Sequence, residues 1–286
     1  MVSLLVTALV VALSVSPQQG TAPPAVAIAV PPAGETQELL LKDGTRAIGR
    51  VETIEAESFT FRTTSGVVMK VDVKLVHAIG PVTGRLVRGE FWPEDSNPTR
   101  LFFAPTGRSL KRGDSYLGVY EILLPFVQYG ITDRISIGAG TPLVFGGGGD
   151  TPFWFTPKVQ VLRMKSTEAS VGVLHFVNVG DLNLGIAYGV VTQGSTDSAV
   201  TVGVGYAYLR GEGEDGGAPV VMVGGDHRLS RRLKLVTENY VFDGGGALSG
   251  GVRFLGERLS VDLGLVSPLG IGDFFVFPVI NFVWKF

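Results

Sequence analysis

The chain has no cysteine among its 286 residues, which excludes a disulfide scaffold, a thiolate metal site and an N-terminal lipoprotein anchor. Charge is also scarce. Only 17% of residues are charged and the formal net charge is −2, so there is no basic footprint for nucleic acid. Histidine is limited to His77, His175 and His227, none with a second His or a Cys at metal-ligand spacing, and no metal or other cofactor is expected. Beyond the N-terminus no uncharged run approaches the ~20 residues of a spanning helix. No Gly-x-Ser-x-Gly nucleophile turn lies between a strand and a helix. Gly146 to Gly149 lacks the Lys-Ser/Thr of a phosphate loop, and Asp150 would repel an anion there.

What is present is apolar and glycine-rich: 45% hydrophobic residues, 40 Gly and a mean hydropathy of +0.32. That is too apolar for an ordinary soluble protein, yet it holds no spanning helix. A membrane β-barrel reconciles the two, because its apolar residues occupy alternate positions and never form a block. The last residues, Phe274 to Phe286 (FFVFPVINFVWKF), have this pattern. Counting back from Phe286, every second residue is apolar: Trp284, Phe282, Ile280, Pro278, Val276, Phe274. A period of two is a strand period. The alternative is the last strand of a soluble β-sandwich, which would rarely leave three large aromatics on an exposed side.

This alternation closing on a C-terminal Phe resembles the final strand of bacterial outer-membrane β-barrels. The resemblance implies that the strand is also the insertion signal read by the barrel-assembly machinery.

Val2 to Ser16 is an uncharged run of signal-peptide length, although no Lys or Arg precedes it. Residues 1–22 are expected to be a signal peptide, with cleavage after Ala22 or Ala27, and the Pro/Ala-rich residues 23–36 a linker. From 37 to 80 five short strands are expected, with turns at Lys42-Asp43-Gly44-Thr45 and Ser65-Gly66. The phrase LKDGTRAIGRV is similar to the opening hairpin of SH3-like and Sm-like domains. Such a domain would lie in the periplasm and bind cell wall, a partner protein or the barrel mouth, or simply pack. Residues 81–98 have no clean period and connect the two regions.

Residues 99–286 are expected to form an antiparallel transmembrane barrel of about twelve strands, which makes the fold all-β. The strands are placed at Arg100–Pro105, Tyr116–Leu124, Ile135–Thr141, Lys158–Met164, Ala169–Val177, Leu182–Val191, Ala199–Leu209, Val220–His227, Leu233–Phe242, Leu248–Leu255, Leu259–Ser267 and Phe274–Phe286. Alternate connections are short and polar, as at Thr132-Asp133-Arg134, Ser230-Arg231-Arg232 and Gly256-Glu257-Arg258. Short turns belong to the periplasmic side and Gly-rich loops to the outside.

In Ala199–Leu209 the large residues Val200, Val202, Val204, Tyr206 and Tyr208 alternate with small ones. Leu182, Leu184, Ile186, Tyr188 and Val190 alternate likewise with Asn183, Gly185, Ala187 and Gly189. Large-outside, small-inside is expected where lipid surrounds the wall. A charge on the lipid face costs about 2–4 kcal/mol near the midplane, so strand charges should point inward. The candidate lumen residues are Glu121, Lys158, Gln160, Asn183, Asp226, Lys234, Glu238, Arg253, Asp262 and Asn281. Tyr188, Tyr206, Tyr208, Phe282, Trp284 and Phe286 are candidates for the aromatic girdle and assembly signal. The expected function is a passive pore or small-solute transport barrel with a polar lumen. The alternative is a closed, structural barrel whose periplasmic domain docks cell wall or a partner. A hydrolase using His175 or His227 with a nearby Ser comes a distant third, and the chain is read as a non-enzyme.

Overall fold

The computed structural model describes residues 36–286, apart from 82–83, 89, 144–150, 181, 212–213, 257 and 271–274. The expected signal peptide and most of the expected linker lie outside the described residues. No described helix is long and apolar enough to cross a membrane, which says nothing about a β-barrel.

The first element is a five-stranded antiparallel sheet. Its strands are β1 (Gln37–Leu41), β2 (Arg46–Ile54), β3 (Ser58–Thr63), β4 (Val68–Asp72) and β5 (Val76–Pro81), ordered β4-β3-β2-β1-β5. Gly44 and Gly66 supply the positive φ that the two expected hairpin turns need. Alternate residues Leu39, Val51, Phe59, Phe61, Val71 and Val76 form one small core. The connecting segment, where no strand is expected, holds a hairpin of β6 (Gly84–Val87) and β7 (Glu90–Pro93).

The wall strands are β8 (Ser115–Tyr120), β9 (Leu124–Gly130), β10 (Ile135–Gly140), β11 (Phe153–Phe155), β12 (Lys158–Arg163), β13 (Thr167–Val179), β14 (Leu182–Gly194), β15 (Ser198–Gly211), β16 (Glu214–Ser230), β17 (Leu233–Phe242), β18 (Gly245–Leu255), β19 (Leu259–Leu269) and β20 (Phe277–Lys285). Each pairs antiparallel with its neighbours, and β20 pairs with β8, which closes the sheet. Of these thirteen described segments, β11 and β12 each bridge β10 and β13, so together they are one interrupted strand and the wall has twelve. Pro157, which has no N–H, sits at the interruption, and Thr156 and Pro157 still bond to Gly138 and Val173. β13 to β19 run 10 to 17 residues, enough to span tilted, whereas β8 to β10 have only six or seven.

The expected number of strands is reached with different members. Tyr116–Leu124 is the start of a β8–β9 hairpin, because Glu121 and Ile122 take positive φ and turn the chain. Arg100–Pro105 is not in the wall at all. It is a tight turn inside the barrel, where Leu101 N–H donates to Ala104 C=O. Its alternation of Leu101, Phe102 and Ala104 imitates a strand because these residues pack on inward-facing Val190, Met222, Val236 and Val279.

Candidate functional site

Paired residues in adjacent strands share a face, so the registers assign every wall position to the lumen or the outside. The outer face is apolar. Val200, Val202, Val204 and Tyr206 on β15 are exposed, as are Leu235 and Val241 on β17, Leu263 and Leu265 on β19, and Phe282 and Trp284 on β20. Asn239 and Thr237, polar residues on this face, bond to each other and to backbone where the β17–β18 ladder is interrupted. Polar groups on an apolar surface need such partners.

On β14 the facing is the reverse of the expectation. Tyr188 pairs with Gly205 and Val190 with Gly203, both in the inward row, and Val190 is buried in the lumen. Gly185, Ala187 and Gly189 are on the outside, opposite Tyr208, Tyr206 and Val204. Tyr208 lies over Gly185, whose missing Cβ would stand 2.5 Å from its hydroxyl. Size alternation alone does not tell the two faces apart, because aromatics of one strand cover the glycines of the next. Two candidates change place as a result. Asn183 is exposed on the outer face, and Tyr188 is an inward residue, not a girdle residue. Glu121 is also misplaced: it lies in the β8–β9 turn, at the barrel end far from the termini.

The other lumen candidates, Lys158, Gln160, Asp226, Lys234, Glu238, Arg253, Asp262 and Asn281, are buried and point inward. They do not line open water. Residues 94–114 pass from the hairpin into the barrel before the wall begins, and the inward polar groups hold this insert. Arg253 donates to Asn97 C=O at 2.8 Å, Leu101 C=O at 2.6 Å and Arg100 C=O at 3.2 Å. It also clamps Asp262 with two bonds of 2.6 and 2.9 Å. Asn281 donates to Phe102 C=O, and Glu238 accepts from the N–H groups of Phe103 and Ala104 at 2.9 Å each. Gln160 and Ser170 donate to Gly107 C=O, whose own N–H donates to Thr192, and Lys158 Nζ donates to Arg108 C=O at 2.6 Å.

The charges pair across the same boundary. Asp95 of the insert meets Lys234 at 2.7 Å and Arg253 at 3.4 Å. Lys234 also meets Asp226 at 3.1 Å, and Arg108 of the insert meets Glu168 at 3.3 Å and Asp226 at 3.8 Å. An irregular chain at membrane depth needs every backbone polar group satisfied internally. That is what these side chains do. Gly107 is required by close approach, since a Cβ there would stand 2.1 Å from Glu168 C=O. At the mouth, Arg228 lies 5.0 Å over the Trp92 ring and bonds to Pro93 C=O and Asp197, while Arg85 pairs with Asp197, so the β6–β7 hairpin is pinned to the rim.

The lumen therefore has two storeys. The half nearer Ser115 and Phe286, which are joined by a bond from Phe286 N–H to Ser115 C=O, is polar and filled. The far half is lined by Leu174, Ile186, Tyr188, Val190, Val220, Met222 and Tyr240. Sequence reasoning missed this split, although the bulky members of 182–190 carried the signal once their facing is reversed.

Two further arrangements bear on chemistry. His227 Nδ1 lies 3.0 Å from Ser198 Oγ, but both are exposed on the outer face and Asp226 points the other way. His175 Nδ1 lies 2.7 Å from the Tyr208 hydroxyl, also outside. His175 and Tyr208 line a shallow outer-face pocket with Asn183 and Arg210, and among the described residues neither imidazole has both a nucleophile and a carboxylate partner. Among the described residues no group of three His, Asp or Glu could hold a metal ion.

No protein-family model and no curated protein matches the chain. Solved structures with some likeness include porins and outer membrane proteins. A KdgM porin in complex with disordered oligogalacturonate is 6% identical, with a TM-score of 0.47, covering 60% of this chain and 98% of that one. A loop L8 deletion mutant of OmpT, an outer membrane protein of Vibrio cholerae, is 14% identical, with a TM-score of 0.40, covering 88% and 96%. The outer membrane channel DcaP of Acinetobacter baumannii is 8% identical, with a TM-score of 0.32, covering 88% and 94%. Such scores establish no family. The barrel rests on its own strand pairings and outer face.

Proposed function

We propose that this chain is an outer-membrane barrel for passage of a small solute, shut at rest by residues 94–114. The observation that carries the reading is an apolar chamber above a plug made of non-strand chain. A wall built only as an anchor has no use for either. The predominantly apolar outer face supports the setting in lipid, and the polar lower lumen serves as the seat of the plug, not as a water-filled path. The short turns at the end of the wall where both termini lie support a periplasmic side for the termini and the five-stranded sheet. The strand order and opening hairpin of that sheet support an SH3-like reading, and Phe282, Trp284 and Phe286 an assembly signal and girdle. No catalytic role is assigned.

Planar-bilayer recording tests this. The full-length protein should be silent or open rarely. Replacing residues 97–110 by a Gly/Ser linker of equal length should give steady conductance. A folded barrel that stays silent without its plug would overturn transport.

A second reading has its own observation: the sheet precedes the pinned hairpin directly, and Glu38 and Ile48 share a cleft with Arg231, Arg232 and Arg258 at the barrel mouth. In this reading the sheet docks cell wall or a periplasmic protein, and deleting 37–81 abolishes that association while the barrel still inserts.

A further inference from the structure

The chamber above the plug has a volume of about 160 Å³. Its floor is the plug tip, where Phe103 remains 37% exposed although it stands in the middle of the lumen. Its walls are the inward side chains Leu174, Ile186, Val190, Val220 and Met222. Most of the polar groups at its edge are already engaged. The Arg100 guanidinium donates to the Tyr116 hydroxyl, Gln128 and Phe103 C=O and lies 4.6 Å from the Phe126 ring centre. The Tyr240 hydroxyl donates to Glu238.

We propose that this chamber is a binding site for a small apolar molecule of about the size of one aromatic ring. A cavity of roughly 150 Å³ lined by aliphatic and aromatic side chains stays dry and admits benzene. A sugar or an ion would lose most of its hydration here and gain few partners, because the lining is mainly apolar and most of the edge donors are already engaged. The proposal names the solute class for the transport reading and rests on it for the membrane setting. Binding itself needs no movement of the plug, so a barrel that never conducts can still bind.

The test is ¹⁹F NMR titration of fluorobenzene into the full-length protein in lipid nanodiscs, with empty nanodiscs as reference. Gly203 faces the chamber, and a Cβ there would stand at ordinary contact distance, 3.4 Å or more, from Met222 and Gly189 C=O, so Gly203→Leu projects a bulky side chain into the site. Val202→Leu, one residue along on the outer face, is the control. Saturable binding that weakens at least tenfold in Gly203→Leu and persists in Val202→Leu supports the site. Uptake that never saturates and equals that of empty nanodiscs overturns it, as does equal binding by wild type and Gly203→Leu. If Gly203→Leu fails to show the heat-modifiable gel shift of a folded barrel, Val190→Ala decides. That enlarged chamber should bind 1-fluoronaphthalene at least tenfold more tightly than wild type, and equal affinities overturn the proposal.

Discussion

Arg253 is the side chain on which plug seating most depends, and Arg253→Met tests this. The substitution keeps length and removes every donor. It strands Asp262, which is 1% exposed, and takes from the carbonyls of Asn97 and Leu101 their only wall donor among the described residues. Removing one partner of a buried ion pair costs about 3–5 kcal/mol, because the other charge is left unpaired. Releasing the plug admits water and re-solvates Asp262, so most of that cost bears on seating and little on the wall ladder. At 1.4 kcal/mol per factor of ten, the ratio of seated to released plug falls by roughly a hundred- to a few-thousand-fold. A reporter is easily placed, since the chain has no cysteine: Leu101→Cys puts a thiol at a site with no exposed surface. Maleimide should label it slowly in the parent and at least a hundredfold faster with Arg253→Met. Bilayer openings should rise in parallel. Adding Asp262→Asn removes the stranded charge and should recover much of the slow labelling. If a folded Arg253→Met barrel labels as slowly as the parent and opens no more often, the plug is not held by this network.

Gly107→Val should expel the insert, because its Cβ would meet Glu168 C=O at 2.1 Å; labelling at Leu101→Cys would accelerate with the wall still heat-modifiable. Val202→Lys places a charge on the outer face and should cost about 2–4 kcal/mol in urea titrations of folding in lipid, and no loss would contradict a lipid-facing wall. Phe61→Ala should destabilise the five-stranded sheet by about 3–5 kcal/mol, read as faster proteolysis of residues 37–81 without change in the barrel's gel shift.

Where alternation and turn chemistry were both strong, as in β15, β19 and β20, the strands and their facing could be read directly from the residues. The two turns of the small sheet were equally plain, because Gly44 and Gly66 meet a backbone requirement that few residues satisfy. The failures have a common cause. Arg100–Pro105 alternates like a wall strand, and Leu182–Val190 alternates with the opposite facing, because a period of two reports that faces differ and not which face is which. The cost of placing a charge in lipid pointed to Lys158, Asp226, Lys234, Glu238, Arg253 and Asp262, which do face inward, and failed at Glu121, which lies in a turn. Their partner was invisible, since Asp95, Asn97 and Leu101 lie more than 130 residues away from Lys234 and Arg253.

The sequence by itself determined that the chain is a sheet closed on itself with an apolar outside: few charges, no spanning helix and a strict alternation leave little else. Only the tertiary structure decided that the lumen is divided into a plugged polar half and an apolar half that keeps a small chamber. Local pattern records the cost of exposing a group to lipid, whereas the filling of the lumen depends on which distant segment satisfies the groups inside, and that is settled when the barrel closes around residues 94–114.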